Sequence, residues 1–326
     1  MPVKSNDTSL KTLLEGVGSG KYQLPEFQRG WVWSVGKIRK LIESISSEYP
    51  MGAVMAFEQG GSVKFKYRLF ESVKTIYASV APDFLILDGQ QRLTSLYQVF
   101  MSKDSVKTSD DKTKDEILRY FYLDINKCLD LTEDRYDAIV PVNKNRQQLA
   151  DIGRTITLDL STREKEYEQM MYPLNIVFDT QEASMWLLGL NQYYVTNNPS
   201  QLQTVISQFT QFQTNVLNKI ISYTLPVIQV DKNTSNEAVC QIFENVNTGG
   251  VPLNVFELVT AKFAMGQGNI QPINLRDHWE AIKHRFNQRK DTILKEIDNS
   301  NGFLKMYYGV VTNNTNGDYI LTATRN

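Results

Sequence analysis

Phe84-Leu85-Ile86-Leu87-Asp88-Gly89-Gln90-Gln91-Arg92-Leu93-Thr94-Ser95-Leu96 is the stretch on which the reading of this chain turns. Four apolar residues run into Asp-Gly, then two amides and an arginine, then a helical apolar pattern. That order predicts a buried strand over Phe84–Leu87, a tight turn, and a helix over Leu93–Phe100. The turn gathers a carboxylate, two neutral amides and a guanidinium beside a helix start. Helix N-termini attract anions and arginine grips phosphate oxygens in pairs, so the inventory suits phosphate binding and hydrolysis. Asp-Gly is also common in ordinary turns, and Gln-Gln-Arg is a plausible solvated first helical turn. The segment alone leaves both readings open.

Composition narrows the classes around it. The chain has 326 residues, 41% hydrophobic and 22% charged, with a formal net charge of −1. That is a globular composition with room for about two domains. The near-neutral charge argues against nucleic-acid binding through overall positive charge, while leaving a local basic surface possible. Cys128 and Cys240 lack metal-type spacing and read as free thiols of a reducing compartment. No secretory signal or membrane-length apolar run is visible, so the expected location is cytoplasmic.

Outward from the opening stretch, Leu10, Leu13, Leu14 and Val17 predict a helix ended by Gly18-Ser19-Gly20. Tyr22–Pro25 reads as a short extended piece. Ser34 reads as the N-cap of a helix carrying Ile38, Leu41, Ile42 and Ile45 and ending near Tyr49-Pro50. Strands are expected at 54–57 and 63–70, the second with Val63, Phe65, Tyr67 and Leu69 on one face. The polar stretch 102–116 reads as an exposed loop. Further strands are expected at 120–125, 139–142, 155–160 and 223–230, the last at a sheet edge because of Pro226. Residues 161–222 read as a helical insertion, and 235–246 and 254–263 as helices. The fold class is α+β: a mixed-sheet core over 1–265, then a helical extension over 266–326 that would begin a second domain.

Two rival chemistries fail on spacing. Gly16-Val17-Gly18-Ser19-Gly20-Lys21 lacks the glycine and the Ser or Thr that a P-loop requires, and it follows a helix instead of a strand. His278 and His284 do not share a helix face at ligand spacing, and no HExxH or GxSxG pattern occurs.

Two further polar clusters accompany the first: Pro25-Glu26-Phe27-Gln28-Arg29 and Asn245-Val246-Asn247-Thr248-Gly249-Gly250. With Tyr49-Pro50-Met51-Gly52 and Asp88-Gly89-Gln90-Gln91-Arg92 they stand in the order of the signature blocks of the GmrSD-type restriction endonuclease N-terminal domain, which the chain resembles over about residues 10–265. The resemblance implies a ParB/sulfiredoxin-like core, NTP binding and hydrolysis with Asp-Gly-Gln-Gln-Arg as the hydrolysis motif, and a role in defence against modified phage DNA. It also implies an HNH-type nuclease as a further domain or separate polypeptide, since no such histidine motif occurs in these residues.

The site expected from these readings has Asp88, Gln90, Gln91 and Arg92 as catalytic groups. Arg92 would hold β/γ-phosphate oxygens, Asp88 would hold Mg²⁺ through water or orient the attacking water, and a glutamine would position that water. Gly89, Thr94, Gln28, Arg29, Asn245, Asn247 and Gly249 are the expected nucleotide contacts. The expected partners are a nucleoside triphosphate and modified DNA, with no membrane; a homodimer is an open alternative. Arg39, Lys40, Lys283, Arg285, Arg289 and Lys290 offer a DNA-facing surface, though each also reads as a solvated helix face. The competing reading is a switch module that binds nucleotide or DNA without catalysis.

Overall fold

Ser9 divides the first strand, β1 (Val3–Ser9), from the first helix, α1 (Leu10–Gly18), and its hydroxyl accepts from the Thr12 amide at 3.1 Å. The helix is expected from its apolar spacing, and Leu10, Leu13, Leu14 and Val17 are all buried. The preceding strand is not, because Lys4-Ser5-Asn6-Asp7 carries no apolar alternation. Its pairing comes from a distant partner.

In this computed structural model the described residues are 3–235 except 27, 29, 32, 62–64 and 151–153, together with 238–239, 241–243, 284, 310–313 and 319–322. The chain forms two compact units. The first comprises Met1–Leu24, Gly30–Gly61 and Tyr67–Lys232; the second comprises Pro25–Arg29, Ser62–Lys66 and Asn233–Asn326.

The first unit is α+β, as expected. Its main sheet joins β1 to β2 (Tyr22–Pro25), β3 (Val54–Glu58), β4 (Tyr67–Arg68), β5 (Phe84–Asp88) and β12 (Thr224–Val230), in the order β1-β12-β3-β5-β2-β4. The sheet is mixed: β12 runs parallel to β3 and β5 parallel to β2, while β3 and β5 are antiparallel. β12 is therefore interior, which corrects the edge expected from Pro226. That proline lies opposite Asp7 of β1, one residue before the parallel ladder with β3 begins at Val227. Its missing N–H falls at a ladder end, where it costs little.

Helices α1, α2 (Val35–Ser46) and α3 (Gln90–Phe100) add Ile38, Ile42, Ile45, Leu93 and Leu96 to one hydrophobic core with Leu24, Val54, Ala56 and Ile86. Each fully buried aliphatic side chain contributes roughly 1.5–3 kcal/mol. Gly16 admits the Tyr22 ring, whose carbon lies 2.5 Å from where a Cβ would stand.

The 102–116 stretch is not a simple loop. It contains β6 (Val106–Ser109), paired with β7 (Glu116–Asp124), with Val106 and Thr108 buried. Only two inward residues mark that strand, too few to show as alternation. The same stretch supplies the cap of α2: Asp111 accepts from the Ser34 hydroxyl at 2.6 Å and from the Gly36 amide at 2.8 Å. Ser34 occupies the N-cap as expected, but its side chain makes no capping bond of its own. Tyr67 is exposed while Phe65 is buried, so the expected common face across 63–69 does not hold at Tyr67; Val63 lies outside the described residues.

β7 also pairs with β8 (Ile139–Val142) and β11 (Met171–Pro173), and β9 (Gln147–Ala150) pairs with β10 (Thr155–Asp159). The 161–222 region is helical as expected, with α4 (Arg163–Glu168), α5 (Thr180–Asn197) and α6 (Leu202–Phe212), apart from the β11 interruption. Trp186, Tyr172, Phe209 and Phe212 pack there as an aromatic cluster. Beside it the fully buried Glu166 accepts from Tyr122, Arg146, Arg163 and the Trp186 indole, so its charge is neutralised and hydrogen-bonded.

In the second unit the Glu26 amide donates to Lys66 at 2.9 Å. Two strands, Val310–Asn313 and Tyr319–Thr322, pair antiparallel where a polar tail was expected.

Candidate functional site

Gly89 sets the geometry at the end of β5. Its φ of 96° places it in the left-handed region, and an added Cβ would stand 3.0 Å from Val54 Cγ2. Only glycine meets both demands without strain. The chain therefore turns at once into α3, which begins at Gln90 rather than at the expected Leu93. Gln90, Gln91 and Arg92 thus form a first helical turn, with Gln90 buried.

Arg92 points into a loop between α2 and β3. Its Nη1 donates to the Met51 carbonyl at 2.6 Å, and its Nη2 donates to the Ala53 carbonyl at 2.9 Å and to Asp88 Oδ2 at 3.1 Å. Gly52, at φ +88°, lets the backbone wrap the guanidinium; a Cβ there would lie 2.6 Å from Nη1. The Tyr223 hydroxyl secures the same loop, donating to the Tyr49 carbonyl at 2.7 Å and accepting from the Met51 amide at 3.1 Å. Burial raises the Tyr223 pKa, which keeps the hydroxyl a donor. The Arg92 side chain is only 17% exposed and the Asp88 side chain 36%.

Gln91 reaches the other way. Its amide donates to the Gly30 carbonyl at 3.1 Å. One turn on, Ser95 donates to the Gln91 carbonyl at 2.7 Å and accepts from the Trp31 indole at 2.9 Å. The Trp31 amide in turn donates to Glu71 at 3.2 Å. An open cleft of about 760 Å³ adjoins this face, lined by Trp31, Trp33, Glu71, Gln98 and the β6 edge.

Two blocks distant in sequence, 30–31 and 49–53, are therefore tied to the first turn of α3 by Gln91 and Arg92. A family model of the GmrSD restriction endonuclease, N-terminal domain, matches residues 10–264. The chain belongs to that family. Uncharacterized protein MJ0686 of Methanocaldococcus jannaschii is 26% identical over 285 residues, covering 84% of this chain and 44% of the relative. The chain thus spans less than half the length of that relative.

In this GmrSD N-terminal domain Asp88, Gly89, Gln90, Gln91 and Arg92 stand together at the start of α3. Thr94 does not join them: it is fully buried, with Oγ1 unpartnered among the described residues. Gln28 is buried in the second unit. Arg29, Asn245, Asn247 and Gly249 lie outside the described residues, as do Lys283, Arg285, Arg289 and Lys290. Arg39 donates to the Tyr136 carbonyl at 2.7 Å and stacks on the Tyr136 ring, so its charge already has a partner; Lys40 is exposed. The Gly16–Lys21 segment is the end of α1 and its turn, as expected against a P-loop. Cys128 is a buried free thiol, and Cys240 lies outside the described residues. No helix among the described residues is long and apolar enough to cross a membrane.

The sequence reading missed Tyr223, the Met51 and Ala53 carbonyls, Glu71 and Gln98. Backbone acceptors leave no side-chain signal, although Gly52 inside a recognised block marks the close approach. Gln91, Ser95 and Gln98 follow i, i+4, i+7 spacing, a polar stripe that was there to be read.

Proposed function

We propose that this domain binds a nucleoside triphosphate at the start of α3 and hydrolyses it, serving a modification-dependent restriction system whose nuclease is supplied by a further domain or polypeptide. The observation that carries the reading is the convergence of separate family blocks on one helix turn through Arg92 and Gln91. Family membership and the α+β core support it, the latter fitting the ParB/sulfiredoxin-like core that the resemblance implies.

Within that reading, Arg92 acts chiefly by holding the Met51–Ala53 loop, and through that loop and Asp88 it shapes the phosphate site. Gly89 brings backbone close to the phosphates, and the helix start adds a favourable dipole. Asp88 gives one oxygen to Arg92 and remains over a third exposed, which suits it to hold Mg²⁺ through water. A bound Mg²⁺ would offset phosphate charge. Gln91, a neutral amide at the helix surface, positions the attacking water. Modified DNA would be the effector, and the nuclease the responding partner.

The test is phosphate release by the wild type, Asp88→Asn and Gln91→Leu, each confirmed folded. Equal, substantial rates in all three would overturn the assignment. One observation favours the second reading, a binding switch without catalysis: three guanidinium bonds of Arg92 are spent on protein acceptors. Nucleotide binding without phosphate release, with and without modified DNA, would establish it.

A further inference from the structure

Helix α5 is apolar on two opposite sides. Trp186, Leu190 and Tyr194 face the core and are buried. A helix lying on a protein surface normally turns charged residues away from such a face. The outward side of α5 instead carries Met185, Leu188 and Val195, which are 59%, 68% and 49% exposed, with exposed Gln192 among them. One exposed apolar residue needs no explanation, but three in line on one helix form a patch. Met185, Leu188, Gln192 and Val195 are spaced three, four and three residues apart. Those are the a and d positions of a heptad, the seam along which one helix packs against another.

The charge pattern indicates what the seam receives. From Ala183 to Asn218 the chain has no charged side chain, although 22% of its residues are charged overall. That run covers most of α5 and all of α6, which packs beside it. A face of apolar, amide and hydroxyl groups holds no cation for a nucleic-acid backbone and no charge for an oppositely charged protein. Set against itself, it meets no like-charge repulsion. Its amides and hydroxyls both donate and accept, so they pair with their own kind. The three-four-three spacing also reads the same in both directions, so a copy turned about a two-fold axis presents the matching seam.

From this pattern we infer that the outward side of α5 is an interface between two copies of the chain, with the two helices antiparallel. Met185 then lies against Val195 of the partner subunit, and Leu188 against Gln192 of the partner subunit. The size of the face sets the strength. An 18-residue helix is about 27 Å long and about 11 Å wide, so α5 covers roughly 300 Å² per copy. With the adjoining α6 the contact reaches on the order of 1,000 Å² in total, the size of a reversible association of micromolar strength. The inference is independent of the phosphate chemistry proposed above.

Sedimentation equilibrium of the full chain between about 1 and 200 μM is expected to show the mass rising from monomer toward dimer. Leu188→Lys places a cation on each side of the seam and disturbs nothing buried, since Leu188 is exposed in the monomer. It is expected to weaken the dimer at least about tenfold while keeping the melting temperature of dilute wild type. Cysteine cross-linking reads the orientation. A Met185→Cys/Val195→Cys chain is expected to oxidise to a covalent dimer. Met185→Cys alone is not, because its two copies would stand about 15 Å apart along the axis, beyond disulfide reach. Wild type that stays monomeric across the range would leave the seam to a different occupant and overturn the inference. A Leu188→Lys chain that dimerises like wild type, or a Met185→Cys chain that cross-links as well as the double variant, would overturn it too.

Discussion

Gly52 and Arg92 are fitted to one another: the glycine has no Cβ where the guanidinium Nη1 would meet one at 2.6 Å. The contact closes the Met51–Ala53 loop over the first turn of α3. Gly52→Ala is expected to cost about 1–3 kcal/mol, from positive-φ strain and from displacement of the arginine. Arg92→Lys keeps the charge but not the fork that serves two carbonyls, and is expected to cost about 1.5–3 kcal/mol. Urea unfolding midpoints check both, and wild-type midpoints in either would contradict the fit.

The cap of α2 gives a second comparison. Asp111 binds both the Ser34 hydroxyl and the Gly36 amide, whereas Ser34 caps nothing by itself. Asp111→Ala is therefore expected to lower stability by about 1–2 kcal/mol, and Ser34→Ala by less. Thermal denaturation of the two variants decides the order.

Alkaline pH acts through Cys128. Burial pushes its thiol from 9.0 up to about 11. The folded chain thus keeps a proton that the unfolded chain releases, so this group's stabilisation is complete below pH 9 and fades as pH rises toward 11. The loss is on the order of 2 kcal/mol. Urea midpoints between pH 7 and 10.5 should fall more steeply for wild type than for Cys128→Ala; parallel profiles would contradict the assignment.

Glu166 is buried with four donors around it, two of them arginines. Glu166→Gln removes the buried charge, while Arg146 and Arg163 are each about a third exposed and Arg163 keeps Glu182, so the expected cost is about 1.5–3 kcal/mol. Loss of the chain's soluble folded form or a large fall in melting temperature would register it.

The elements with dense apolar spacing were legible in the sequence: α1, α2, β5 and most of α3, where the periodicity itself reports the buried face. β1 and β6 were not, since their residues are polar and their pairing is decided by distant partners. Pro226 misled for the same reason: a local rule about prolines met a ladder that starts one residue later. At the site, the Asp88–Arg92 cluster stood out by its chemistry, but the acceptors of Arg92 did not, because two of the three are main-chain carbonyls. A guanidinium in a motif reads as a ligand-binding group; here three-dimensional context turns it inward.

Phosphate release from the four nucleoside triphosphates, in the presence of Mg²⁺ and of modified and unmodified DNA, tests the account most directly when wild type and Gln91→Leu are compared. Wild type is expected to release phosphate, and a folded Gln91→Leu chain to do so at least about tenfold more slowly. Equal rates in the two proteins, or nucleotide binding by wild type with no phosphate release under any of these conditions, would contradict it.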